Sequence, residues 1–214
     1  MLTIYGRRNS SNVQLVMWAV HELGLTCERI DYGIGHASPK STEYLAKNPM
    51  GLVPALEDGD LTMWESTAIL RYLGAAYGDE AFWPRDPRKR AALDVWAEWG
   101  KNEFAAAVLD IFVFEVRTLP ENQTPERLQA LTDRLAPMAR ILNARVADRP
   151  WIGGDGFTFA DIACGHILHR YHTLDWSRPD LPALQAYYER LQTRAAYRDH
   201  AMVNYDDLRG KYPS

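Results

Sequence analysis

The chain has 214 residues, 47% of them hydrophobic, and a formal net charge of −4 with an isoelectric point near 5.9. That is enough apolar material to bury a substantial core in one large domain or two modest ones, which excludes a disordered chain. The acidic balance argues against a nucleic-acid partner, although it leaves room for a local basic patch around an acidic small ligand.

The expected elements follow in chain order. Residues 2–5 (LTIY) are short and β-prone, and Gly6 ends them. Val13, Val16, Met17, Val20 and Leu23 then recur at helical spacing before Gly24, a helix stop. Residues 27–32 (CERIDY) alternate like a second strand, and a polar loop through Gly33, Gly35, Ser38 and Pro39 leads to a short helix over 41–46. Val53 to Glu57 reads as a strand, Asp58-Gly59-Asp60 as a tight turn, and Leu61 to Trp64 as the returning strand. Ser66 is then expected to cap a helix whose apolar face carries Ile69, Leu70 and Leu73. After Tyr77 the stretch GDEAFWPRDPRKR has the composition of a linker. Beyond it only helical patterns are found, over 87–117, 125–147, 159–171 and 181–194.

Cys27 and Cys164 lie far apart without C-x-x-C spacing, so neither a disulfide framework nor a zinc site is expected. Both read as reduced, half-buried thiols. No run approaches the ~18 apolar residues of a membrane helix, and the N-terminal segment lacks a signal-peptide pattern. The expected compartment is the cytoplasm, with no membrane partner.

Four blocks, YGRRNSSNVQLV, NPMGLVPALEDGD, WESTAILRYL and GDGFTFADIACG, occur in an order that resembles the glutathione transferase family and span nearly the whole chain. The serine near the N-terminus is more similar to the theta-like and bacterial branches than to the classes that use a tyrosine. The resemblance implies a thioredoxin-like α/β domain over residues 1–80 and an all-helical domain over 86–214 that contributes the electrophile pocket. It also implies a homodimer and glutathione as cosubstrate, with no metal or organic cofactor required.

The chemistry expected at each position follows from what a thiol tripeptide needs. A thiol with a reference pKa of about 8.5 is mostly protonated at neutral pH, so its anion must be stabilised by a hydroxyl donor or the positive end of a helix. Ser10, Ser11 and Asn12 stand at such a strand-to-helix junction. The family pattern aligns the catalytic serine best with Ser10, with Ser11 the near competitor and Asn12 able to donate through its amide; simple helix capping is the alternative. By the resemblance, Pro54 is cis and Val53 pairs its backbone with the cysteinyl part of the ligand. Glu65 pairs with the γ-glutamyl ammonium, while Ser66 and the first N–H groups of its helix hold the carboxylate. Lys40, or His36 in the same loop, answers the glycine carboxylate.

Arg8, with Arg7 beside it, is a candidate for adding positive field near the sulfur or contacting an acidic electrophile, with a solvated basic pair as the alternative. Trp96, Trp99 and Asn102, with Glu103 and Phe104 close by, are the candidates for lining the electrophile pocket, to which Trp176 and Met202 are added as lesser ones. Thr158 and Asp161 have capping-box spacing and are expected to be structural. His166, His169 and His172 read as a partly exposed helix face rather than a metal site. Conjugation to a small apolar electrophile is the leading function. A glutathione-dependent disulfide reductase or peroxidase, and a non-catalytic binding module, are the alternatives.

Overall fold

In the computed structural model, which describes residues 1–210, the first part of the chain forms a four-stranded mixed sheet with helices. β1 (Leu2–Tyr5), α1 (Ser11–Glu22), β2 (Cys27–Ile30), α2 (Thr42–Leu45), β3 (Ala55–Asp58), β4 (Leu61–Trp64) and α3 (Ser66–Tyr77) follow in order. The strands lie side by side as β2-β1-β3-β4; β1 and β2 are parallel, and β3 is antiparallel to both β1 and β4. This is the thioredoxin-like arrangement that the resemblance implies. The hairpin is tighter at its tip than expected, because Asp58 and Leu61 pair and leave only Gly59 and Asp60 to turn. β3 begins at Ala55, not at Val53, so Val53 and Pro54 lie outside the ladder.

The second part is helical. α4 (Pro87–Trp99), a π-helical turn (Gly100–Phe104) and α5 (Ala105–Arg117) run on from one another, and α6 (Pro125–Arg145) follows. The pattern over 159–171 resolves into α7 (Phe159–Gly165) and α8 (Leu168–Thr173). α9 (Pro182–Gln192) and α10 (Ala195–His200) complete the α-helices of the described residues.

The two parts share one core. α1 contributes an almost wholly buried run from Val13 to Val20, and it packs on α3, α7 and α10. Trp18 is fully buried; its ring lies 4.7 Å from that of Tyr197, and its indole N–H donates to Glu22. Glu22 also receives Arg194, tying α1 to the chain between α9 and α10. Gly165 permits this approach: a Cβ there would stand 2.8 Å from Leu191 and 3.1 Å from Trp18. The helical part therefore holds the sheet domain through α1, the helix whose start carries the candidate serines.

Candidate active site

The sheet register brings the candidate segments together. Ile30, Tyr5, Ala55 and Trp64 pair as one row across all four strands. β1, β2 and β4 end at this row and β3 begins there. The loop to Ser10, the loop to Lys40, the Val53–Pro54 segment and the Glu65–Ser66 step therefore all open at the same sheet edge. Neighbouring strands are ~4.8 Å apart, so β1 and β4 are separated by roughly 10 Å, close to the reach of an extended tripeptide at ~3.5 Å per residue.

Two helices start at this edge, so two sets of free N–H groups face it. Ser10 is the N-cap of α1, with extended backbone and 8% exposure, and its hydroxyl makes no cap bond. Ser11 is the first helical residue and is equally buried. Among the described residues, neither hydroxyl has a hydrogen-bond partner, so the capping alternative for their side chains does not hold. Asn12 has a buried carbonyl oxygen without a partner.

Val53 packs against the start of α1 across Gly6; with its positive φ, Gly6 sits so close that a Cβ would meet Val13 at 2.5 Å and Val53 at 3.0 Å. The Val53–Pro54 bond is cis. Just upstream, the Leu52 carbonyl accepts from the Tyr44 hydroxyl and the Asn48 amide, both at 2.7 Å. The Val53 N–H and C=O enter no hydrogen bond among the described residues.

At α3 the cap position belongs to Glu65, not Ser66. Glu65 has φ 68°, the one positive value at a non-glycine among the described residues, and its side chain is exposed. Ser66 is the first helical residue and is buried. Lys101, on the π-helical turn, lies within electrostatic range of Glu65 and Glu98; burial pulls its ammonium below the usual lysine range against the attraction of those carboxylates. Lys40 donates to the Met50 carbonyl at 2.9 Å, so its exposed ammonium is held beside the segment that leads into Val53. His36 stands apart from Lys40, in the groove described next.

The structure separates Arg8 from the aromatic candidates. Arg8 lines a groove of about 710 Å³ with Asn9, Asp31, His36, Met202, Val203, Asn204, Asp206 and Asp207. Trp99 and Asn102 line a different, more apolar hollow of about 590 Å³ with Val95, Glu98 and Glu103. Trp96 lines neither: its ring lies under Arg145 at 4.8 Å, and its carbonyl accepts the Cys164 thiol. Trp96 and Trp99, one turn apart, meet edge to face at 5.5 Å, with Trp96 under Arg145 and Trp99 reaching the hollow, and Asn102 turns back to bond Glu98. Phe104 and Trp176 are core residues.

The loop between β1 and α1 is clamped from several sides. Arg7 donates to the Asn9 side chain, and the Asn9 amide donates to both oxygens of Asp207 at 2.8 and 2.7 Å. Arg170 of α8 donates to the Asn9 carbonyl at 2.7 Å. Burial lowers the guanidinium pKa of both Arg7 and Arg170. Arg170, Lys101 and the 203–207 segment escaped sequence reasoning. The one available signal was a charged residue inside the buried ILHRY run.

Other expectations divide. Asp161 accepts from the Ile152 and Thr158 N–H groups and from the Tyr187 and Thr158 hydroxyls, which gives it the structural role expected of it. His166 is buried rather than partly exposed, because it lies in the α7–α8 step inside the core; its Nδ1–H donates to Ala163 at 2.9 Å. His169 and His172 are half-buried. Cys164 is fully buried, not half-buried, since α7 faces α4 across it.

Comparison with known proteins adds independent findings. Residues 1–75 match the family described as Glutathione S-transferase, N-terminal domain, and residues 125–190 match Glutathione S-transferase, C-terminal domain. Glutathione S-transferase GstB of Escherichia coli is 35% identical over 209 residues, covering 95% of this chain and 99% of that protein. The theta class glutathione S-transferase of Xanthomonas axonopodis pv. citri, solved with glutathione bound, superposes with a TM-score of 0.89 at 37% identity, covering 95% of this chain and 98% of that one. Glutathione S-transferase-I bound with lactoylglutathione gives 0.83 at 26% identity, with 94% and 98% covered.

Proposed function

The chain belongs to the glutathione S-transferase family, and from that premise we propose that its sheet edge binds glutathione and that Ser10 holds the sulfur as a thiolate for attack on an electrophile. The observation that carries this reading is the row Ile30–Tyr5–Ala55–Trp64, which aligns four segments and two helix starts along one edge. Val53 offers an unpaired N–H and C=O to the cysteinyl residue. Glu65 faces the γ-glutamyl ammonium, and Ser66 with the first N–H groups of α3 receives the carboxylate. Backbone strain at Glu65 supports its role, since such outliers concentrate at ligand sites. Lys40 answers the glycine carboxylate.

The thiol gives its proton to solvent on binding, and the Ser10 hydroxyl donates to the resulting anion at the positive end of α1. The sulfur then forms its bond to the electrophilic carbon as the leaving group departs with its electron pair. The groove beside Asn9 is the electrophile site we favour, with Met202 and Val203 as its apolar wall. Ser11 and Asn12 are the reserve donors. Glutathione is consumed as a cosubstrate.

Reduction through a protein–glutathione mixed disulfide is less well supported. Cys27 pairs with Leu2 at the opposite end of the sheet, and Cys164 is buried in the helical core. We further propose a homodimer built on the α3–α4 face. Tyr77 and Val95 are 41% and 67% exposed there, and Arg71 of α3 bonds Asp94 and Glu98 of α4 beside them.

Calorimetry with glutathione, followed by a chlorodinitrobenzene conjugation assay, tests the reading. Saturable heat with turnover is expected. Heat without turnover of any electrophile would favour a binding module, and no heat would overturn the proposal.

A further inference from the structure

Arg170 is an arginine buried without a carboxylate. It is 4% exposed, and among the described residues it makes no ion pair. One Nη donates to the Asn9 carbonyl, and its Nε is buried with no partner. The guanidinium lies 4.1 Å from the Phe112 ring centre and 5.5 Å from that of Tyr205. A buried cation is costly unless an anion or a full set of acceptors answers it, and here two aromatic faces and one carbonyl answer it only in part.

The charged and titratable groups around it do not supply the missing anion. Arg7, from the loop after β1, opposes it. Burial lowers the pKa of both His166 and His169, on its own segment, so neither supplies an anion. Tyr205 offers a phenol whose own pKa burial raises. Asp207 is engaged by the Asn9 amide and forms no ion pair with Arg170. Burial, then Arg7, brings Arg170 down to about 9. The peptide it grips leads directly into Ser10.

We infer that Arg170 is a positioning residue for the sulfur anion: it fixes the Asn9 peptide that presents Ser10, and its buried charge is answered by the thiolate of bound glutathione. This rests on the placement of the sulfur proposed above. The helical domain thereby takes part in activating the thiol from beneath the loop, through a residue that does not touch the tripeptide.

Two variants separate grip from charge. Arg170→Gln keeps an N–H donor for Asn9 without the charge, and Arg170→Lys keeps the charge. The readout is ultraviolet thiolate absorbance of the glutathione complex across pH, with circular dichroism as the check on folding. Arg170→Gln should move thiolate formation up by about one pH unit, lowering kcat at pH 6.5 about tenfold, with the glutathione Kd changed less than twofold. Arg170→Lys should restore most of the loss. Coincident titrations of wild type and Arg170→Gln would overturn the inference while leaving the family reading intact.

If both variants unfold, the wild-type enzyme decides. It should bind glutathione sulfonate, which carries a permanent anion at the sulfur position, more than ~10-fold tighter than neutral S-methylglutathione, a 1.4 kcal/mol preference. Equal affinities would overturn the inference. Failure of all three tripeptides to bind would remove the proposed function and this inference with it.

Discussion

Glu65 and Ser10 carry the site's two least ordinary features, a strained cap and a cap without its hydrogen bond. If Ser10 serves sulfur, Ser10→Ala removes one donor to a developing anion and should lower kcat/KM by about 10- to 100-fold. Glutathione affinity should stay nearly constant by calorimetry, and Ser11→Ala should be near wild type; the reverse pattern would transfer the role to Ser11. The Ser10–Asn12 and Glu65–Ser66 positions were legible as strand-to-helix junctions because strand, turn and helix signals converge on them, whereas the ligand role proposed for them came from the family resemblance. Arg170 was not legible, because its significance lies in what it lacks, a nearby carboxylate, and only tertiary structure shows that. The electrophile candidates were the weakest for a related reason. Aromatic residues at helical spacing mark a helix, but which neighbour each ring meets depends on how that helix is rotated against the others.

At the scale of elements, the strands and hairpin were readable from alternation and the Asp58-Gly59-Asp60 turn, and the first helices from period and stop signals. The α7–α8 break was hidden because Ala160, Ala163, Cys164, Ile167, Leu168 and Tyr171 keep one helical spacing across it, so the periodicity runs on where the backbone does not. α10 was missed because its AAYRDH segment is too short, at six residues, to show a helical period. Asp161 lies in the first turn of α7, where burial pulls its carboxyl up to about 6 against four hydrogen bonds. Asp161→Ala leaves those donors in the core without an acceptor and should destabilise the fold by about 3 kcal/mol or more. At the exposed start of α4, Asp86 accepts from the backbone N–H groups of Arg88 and Lys89, and Asp86→Ala should cost only about 1 kcal/mol. Paired urea melts check both, and similar losses would contradict the distinction drawn between the two caps.

For the whole molecule, one buried and two half-buried histidines work against stability in acid. Burial pushes His166 down to about 3, and His172 and His200 to about 4. In the unfolded chain a histidine takes its proton near 6.5, whereas the native form of these three resists it until well below. The unfolded state therefore binds more protons as pH falls below 6.5, and stability drops progressively over that interval. For His166 alone, at 1% exposure, the loss by pH 5 is about 2 kcal/mol. Urea midpoints should fall between pH 7.5 and 5.0, and His166→Asn should flatten the slope; a midpoint independent of pH would contradict this. On the α3–α4 face, Val95→Arg should shift sedimentation toward monomer if that face joins two copies, and an unchanged species distribution would argue against it.

The most direct measurement is a crystal structure of the protein grown with glutathione. The tripeptide should lie along the Tyr5–Ala55–Trp64 edge, with its γ-glutamyl end at Ser66 and its sulfur within hydrogen-bonding distance, about 3.5 Å, of the Ser10 hydroxyl. An ordered tripeptide elsewhere, or a sulfur facing away from the start of α1, would contradict the account.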